Sequence, residues 1–175
     1  VSRLRTGHLP LWNPYLFLGS PALANMQMGT LYPLHAIYLV FGVPAAVGPV
    51  LALHWAIAGS GLYVFLRRVR ALPPLACLGG ATAFALGGFS GAHAEHLNQI
   101  ETFAWVPWQL LVLNWAFAAG DQPHLSRQER LRAILPLALL DALQILAGHM
   151  QALAIAQGAL LLYAAGTLLQ GEQRF

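Results

Sequence analysis

Residues 133–169 read AILPLALLDALQILAGHMQALAIAQGALLLYAAGTLL, and this stretch decides the fold class. Two apolar blocks, 133–148 and 152–169, flank a polar break at His149 and Gln151. As one helix the stretch holds about 37 residues and measures ~55 Å at 1.5 Å per residue. That far exceeds the ~30 Å hydrocarbon core of a bilayer. A turn near His149 therefore divides it into two spans. Upstream lie three more runs of spanning length. Residues 45–66 end at Arg67, Arg68 and Arg70. Residues 72–92 open with Pro73 and Pro74 and carry Gly79, Gly80, Gly87, Gly88 and Gly91, which would allow close helix packing. Residues 103–119 carry Trp105, Trp108 and Trp115, which read as interface anchors.

Composition agrees. The chain is 58% hydrophobic and 9% charged, with a mean hydropathy of +0.60. A soluble domain is about 25% charged, so too few charges are present to solvate a globular surface. The expected fold class is all-α: a polytopic integral membrane helix bundle of about five spans. The net charge of +3 does not point to nucleic acid, because every basic residue is Arg and the arginines sit between apolar runs. The single cysteine, Cys77, closes no disulfide within the chain.

Residues 1–44 form a separate unit, an ordered outer loop plus an interfacial or re-entrant helix, ahead of a bundle over 45–175 that is part of one larger membrane domain. Pro10, Pro14 and Pro21, with Gly7, Gly19 and Gly29, break any regular pattern in residues 1–30. Residues 31–44 are apolar but too short to span.

Arginine placement sets the orientation. Arg67, Arg68 and Arg70 follow the first run, Arg127, Arg130 and Arg132 precede the fourth, and Arg174 follows the fifth. Strict alternation puts all three places on the cytoplasmic side of a multi-pass protein. Only Arg3 and Arg5 fall opposite. The outer side then gathers Asn13, Asn25, Gln27 and His35, the run His93 to Glu101, and His149 with Gln151. Three segments converging on one face is how a polar site over an apolar bundle is built.

The run GAHAEHLNQIE, residues 91–101, supports three readings. It is a polar turn meeting headgroups and water, an acid–base or substrate site with Glu95 as the candidate acid or base, or a metal site of His93, His96 and Glu95 completed by His149. No specific metal motif is present, so a divalent cofactor stays open. Asp141 lies inside the fourth run with Gln144 one turn later. A carboxylate there costs at least ~2.5–3.5 kcal/mol on insertion scales unless paired or wet. The favoured account is an interhelical hydrogen bond to His54, Asn114 or Gln157, and the alternative is an ion or proton relay.

Several motifs resemble the bacterial membrane protein family called YfhO: P-L-W-N-P at 10–14, G-S-P at 19–21, Y-P-L at 32–34, H-L-N at 96–98 and G-H-M-Q at 148–151. The family usually has Pro where this chain has Met150. The resemblance extends over almost the whole chain. It implies a GT-C-like polytopic glycosyltransferase of the bacterial cytoplasmic (inner) membrane. Such an enzyme takes sugar from a polyprenyl-phosphate-linked donor, passes it to a cell-envelope glycan acceptor, and has the lipid bilayer as its other partner. By position, Trp12, Asn13, His96, Asn98, His149 and Gln151 would shape the substrate site. The family's base is an acidic residue in a first outer loop after a first span. No Asp or Glu precedes Glu95 here, so the chain is expected to be partial, lacking that span, and its catalytic base is unassigned. Membrane transporter or flippase-like bundle, or non-catalytic membrane subunit, are the alternative classes.

Overall fold

The computed structural model describes residues 2–16, 18–120 and 122–169. Arg174 and the polar C-terminal stretch lie outside the described residues. What is described is mostly helical, and its only sheet is a two-residue hairpin.

Three helices are long and apolar enough to cross a membrane: Val43–Arg68, Pro74–Ala92 and Met150–Leu169. Only 28%, 22% and 17% of their most apolar windows is buried inside the protein. In water such surfaces would aggregate, so lipid is their natural solvent and the chain is a membrane protein. Residues 103–119 and 133–148 do not reach the same standard. The third run folds as a short helix, Leu97–Phe103, a bend, and a helix Val106–Gly120 of 15 residues. That last piece is ~22 Å long. The fourth run is Arg127–Ala147, which includes Arg127, Glu129, Arg130, Arg132 and Asp141.

In chain order, α1 is Ser2–Arg5. Strand β1, Trp12–Asn13, pairs antiparallel with β2, Ser20–Pro21. Two 3-10 turns follow, Met26–Met28 and Pro33–His35, then α2, Ala36–Phe41. The expected interfacial helix over 31–44 is thus shorter, because Gly42 takes φ 77° and ends it. Helix α3 is Val43–Arg68, α4 Pro74–Leu86, α5 Gly88–Ala92, α6 Leu97–Phe103, α7 Val106–Gly120, α8 Arg127–Ala147 and α9 Met150–Leu169. Pro at the first turn starts both α3 and α4, where its missing N–H costs nothing. A Ser126–Glu129 capping box starts α8.

The turn near His149 is present: α8 stops at Ala147, and Gly148 takes φ 87°. A Cβ at Gly148 would collide with the Met26 carbonyl, so glycine there lets the Met26–Met28 turn dock. Helices α3, α7 and α9 share a core of Phe65, Val69 and Leu111 backed by Trp108 and Tyr163. The close helix approach is at Gly61, where a Cβ would lie 2.6 Å from the Trp108 ring. Trp108 Nε1 donates to the Ile57 carbonyl at 2.9 Å beside it. The glycines of the second run do less than expected. A Cβ at Gly79, Gly88 or Gly91 would meet nothing within 4 Å. Gly80 alone among the five packs closely on another helix, at Leu66, while Gly87 marks the break between α4 and α5.

Candidate functional site

The N-terminal segment folds over one end of the helices and is held there by polar contacts. Tyr32, 2% exposed, sits among them. His54 Nδ1 donates to the Val50 carbonyl at 2.7 Å, so its Nε2 is free to accept from the Tyr32 hydroxyl, also at 2.7 Å. That hydroxyl accepts from Trp105 Nε1 at 3.0 Å. One chain of hydrogen bonds thereby joins α3, the N-terminal segment and the α6–α7 bend. Burial, opposed by the Trp105 bond and aided by the field of Glu101, raises the Tyr32 phenol above its ordinary range. Burial and then Glu101 raise Tyr38 as well.

His35, three residues beyond Tyr32, carries the second clasp. Its Nδ1 donates to the Gly29 carbonyl at 2.8 Å, and its Nε2 lies 2.8 Å from Glu101 Oε1 on α6. The Glu101 side chain is 1% exposed, and its Oε2 is buried without a partner among the described residues. Beside this pair opens a cleft of about 470 Å3. Gln27, Thr30 and Tyr38 of the N-terminal segment line it together with Glu95, His96 and Asn98. Its volume lies in the range of small-molecule sites.

No family model matches this chain, and no curated protein and no solved structure matches it either.

The sequence candidates divide into three places. Glu95, His96 and Asn98 line the large cleft. His96 Nδ1 is 3.8 Å from Glu95 Oε1, and both side chains are mostly exposed, so their attraction is screened. His149 and Gln151 line a second, smaller hollow of about 330 Å3 with Asn25 and Met26. Gln27 borders both hollows. His149 Nδ1 accepts from the Ala152 N–H at 3.0 Å, capping α9. Trp12 and Asn13 border neither hollow. The Trp12 ring packs over Gly19 across the hairpin, and Asn13 Oδ1 accepts from the Tyr15 N–H at 3.0 Å.

The metal reading of His93, His96, Glu95 and His149 is not assembled. His93 stacks on Phe89 and bonds its carbonyl, while His149 belongs to the other hollow. Among the described residues, no group of three or more His, Cys, Asp or Glu side chains comes together.

Asp141 is held as an interhelical acceptor. Of the three partners expected from sequence, Gln157 supplies a bond, at 3.1 Å. The other is Gln109 at 2.5 Å, which the sequence reading passed over. His54 bonds Tyr32 instead, and Asn114 bonds Tyr163. The pair of His35 and Glu101 was also missed as a pair. Nothing in the sequence sets Glu101 apart, since it ends the polar run of residues 91–101 and is followed by Thr102.

Proposed function

We propose that this chain is the membrane-embedded body of a GT-C-like transferase, which moves a sugar from a polyprenyl-phosphate-linked donor to a cell-envelope glycan. The observation that carries the reading is the polar cleft beside Glu101: carboxyl, imidazole and amide groups gathered at one end of the helices. Sugar hydroxyls and phosphate oxygens need such groups, and His96, Asn98 and Gln27 offer donors for them. An apolar groove of about 550 Å3 between α3 and α4, walled by Trp55, Tyr63, Leu78 and Leu86, suits a hydrocarbon chain.

In this reading about five segments cross the bacterial inner membrane. The bent α6–α7 unit and the apolar part of α8 join the three long helices. Arg67–Arg70 and Arg127–Arg132 face the cytoplasm, and the cleft faces outward. Asn98, His96 and Gln27 contact donor and acceptor, whereas His149 and Gln151 border the neighbouring hollow and Trp12 and Asn13 shape the hairpin beside it.

The test is transfer of labelled sugar from a polyprenyl-phosphate donor in membranes containing the protein. His96→Ala should lower transfer at least ~10-fold, a loss of about 1.4 kcal/mol of transition-state stabilisation. Its abundance should hold, because His96 is exposed and lies outside the apolar spans. Transfer no greater than in membranes lacking the protein would overturn the reading.

A further inference from the structure

The N-terminal hairpin carries an apolar surface that the described residues leave uncovered. Six of the ten residues 9–18 are large apolar or aromatic side chains at least 48% exposed. Tyr15 is 92% exposed and Leu18 fully so. Leu18 also takes φ 61°, a left-handed conformation that costs a leucine energy, so its outward placement is held against strain. This surface adjoins the start of α3. Helix α2 ends at Phe41, two residues before Val43, the first residue of that spanning helix. Two residues of chain reach at most ~7 Å, so Phe41, itself 64% exposed, lies level with the first turn of α3. Arg5 Nε donates to the Leu39 carbonyl at 3.0 Å, which pins the segment ahead of the hairpin to α2. Pro10, at the root of the hairpin, lines the same cleft as Leu39 and Val43. The 26 residues of α3 measure ~39 Å. That exceeds the ~30 Å hydrocarbon core, and Arg67 and Arg68 occupy the far end. Val43 therefore stands at the boundary between headgroups and acyl chains.

We infer that the hairpin of residues 9–18 and the exposed face of α2 form one anchor, inserted into the headgroup–acyl boundary of the leaflet where α3 begins. Trp12 and Tyr15 are the residue types that this layer favours, with an apolar ring body and a polar tip. Leu11, Leu18 and Val40 supply apolar area that acyl chains remove from water. The Arg5 guanidinium, bonded beside the end of α2, lies at the level of the lipid phosphates. Lipid is the occupant because the surface continues one that lipid already covers: exposed Val40 and Phe41 lead through Gly42 into exposed Val43 on α3. The same N-terminal segment supplies Gln27, Thr30 and Tyr38 to the polar cleft, so the anchor fixes that cleft at the membrane surface. The inference holds independently of the transferase reading.

Spin labels on Tyr15→Cys and Leu18→Cys test the depth directly. The background is Cys77→Ala, and the protein sits in nanodiscs of phosphatidylcholine and phosphatidylglycerol. The ratio of collisions with oxygen to collisions with a water-soluble nickel chelate reports depth. Both labels should lie ~5–10 Å into the headgroup–acyl boundary. A label on Gln122→Cys, in the exposed connection between α7 and α8, should report water. Labels at 15 and 18 as open to the nickel chelate as the label at 122 would overturn the inference. Labels shielded from both reagents would place protein over the hairpin, either a second copy or another segment, and would overturn it too. The protein without substitutions gives an independent reading. A phosphatidylcholine carrying a diazirine near the carbonyl end of one acyl chain is irradiated in the same nanodiscs. It should attach to chymotryptic peptides from residues 9–18 as well as to those from α3. Adducts on α3 with none on the hairpin would remove the anchor.

Discussion

Replacing Asp141 separates the energy of its hydrogen bonds from the energy of its charge. Oδ1 accepts from Nε2 of Gln109 at 2.5 Å and of Gln157 at 3.1 Å. The same two amides each reach Gln144 Oε1 at 2.9 Å. These four atoms close a ring in which each amide group donates one N–H to each acceptor, and the ring ties α7, α8 and α9 together. Asp141→Asn keeps an acceptor oxygen in place and removes the charge. Asp141→Leu removes both. The difference between the two variants therefore isolates two interhelical bonds, and the difference between wild type and Asp141→Asn isolates the charge. Interhelical hydrogen bonds in membranes average ~0.6 kcal/mol and reach ~1.7, so Asp141→Leu should be less stable than Asp141→Asn by about 1–3 kcal/mol. A carboxylate at a helix centre costs ~2.5–3.5 kcal/mol on insertion scales. Half-burial and the two amide donors offset much of that, so Asp141→Asn should match wild type or exceed it slightly. Reversible unfolding in mixed micelles, titrated with dodecyl sulfate and followed by tryptophan fluorescence, measures both differences. Asp141→Leu as stable as Asp141→Asn would refute the ring as a source of stability. A folded but wholly inactive Asp141→Asn protein would make the carboxylate functional.

His149→Ala removes the cap on α9 and should cost about 1 kcal/mol in the same unfolding assay, while leaving sugar transfer far less affected than His96→Ala does. Gly148→Ala should cost more than the ~1–2 kcal/mol of a left-handed residue, because its Cβ also displaces the Met26–Met28 turn; limited proteolysis should then cut the N-terminal segment faster. Tyr38 has a raised phenol, so the fold holds its neutral form. The stability it contributes is complete below its ordinary value of 10.0 and is lost as pH rises through the higher folded value. Tyr38→Phe should therefore reduce alkaline destabilisation and leave neutral-pH stability nearly unchanged. In a protein with Cys77 replaced, a Ser126→Cys probe should resist membrane-impermeant thiol reagents from outside intact cells; labelling there would invert the proposed orientation.

What could be read from the sequence was what depends on local chemistry. The proline and glycine breaks in residues 1–30, the break of the long apolar stretch at Gly148 and the membrane character of the three long helices all follow from residues close together in the chain. The third and fourth runs were legible as apolar but not in length. A bend at Ala104 and Trp105 divides one, and the charged first turns of α8 extend the other into a helix of 21 residues. Glycine roles were not legible. Whether a missing Cβ matters depends on what crosses it, and the ring of Trp108 crosses Gly61 rather than the more conspicuous glycines of α4 and α5.

The polar residues show the division most clearly. His54, Gln109, Asp141, Gln144 and Gln157 interrupt apolar stretches while Glu101 closes a polar run, and each finds a partner from another segment. An unpaired polar group in an apolar surrounding costs more than the bond that would satisfy it. Each such residue therefore implies a partner as soon as it is seen. Which partner is a matter of register between helices, and Glu101 meets a histidine 66 positions away. The same reasoning leaves Glu101 Oε2, Gln109 Oε1 and Trp55 Nε1 buried without a partner among the described residues. Of the three residues that carry them, Glu101 borders the polar cleft and Trp55 an apolar hollow.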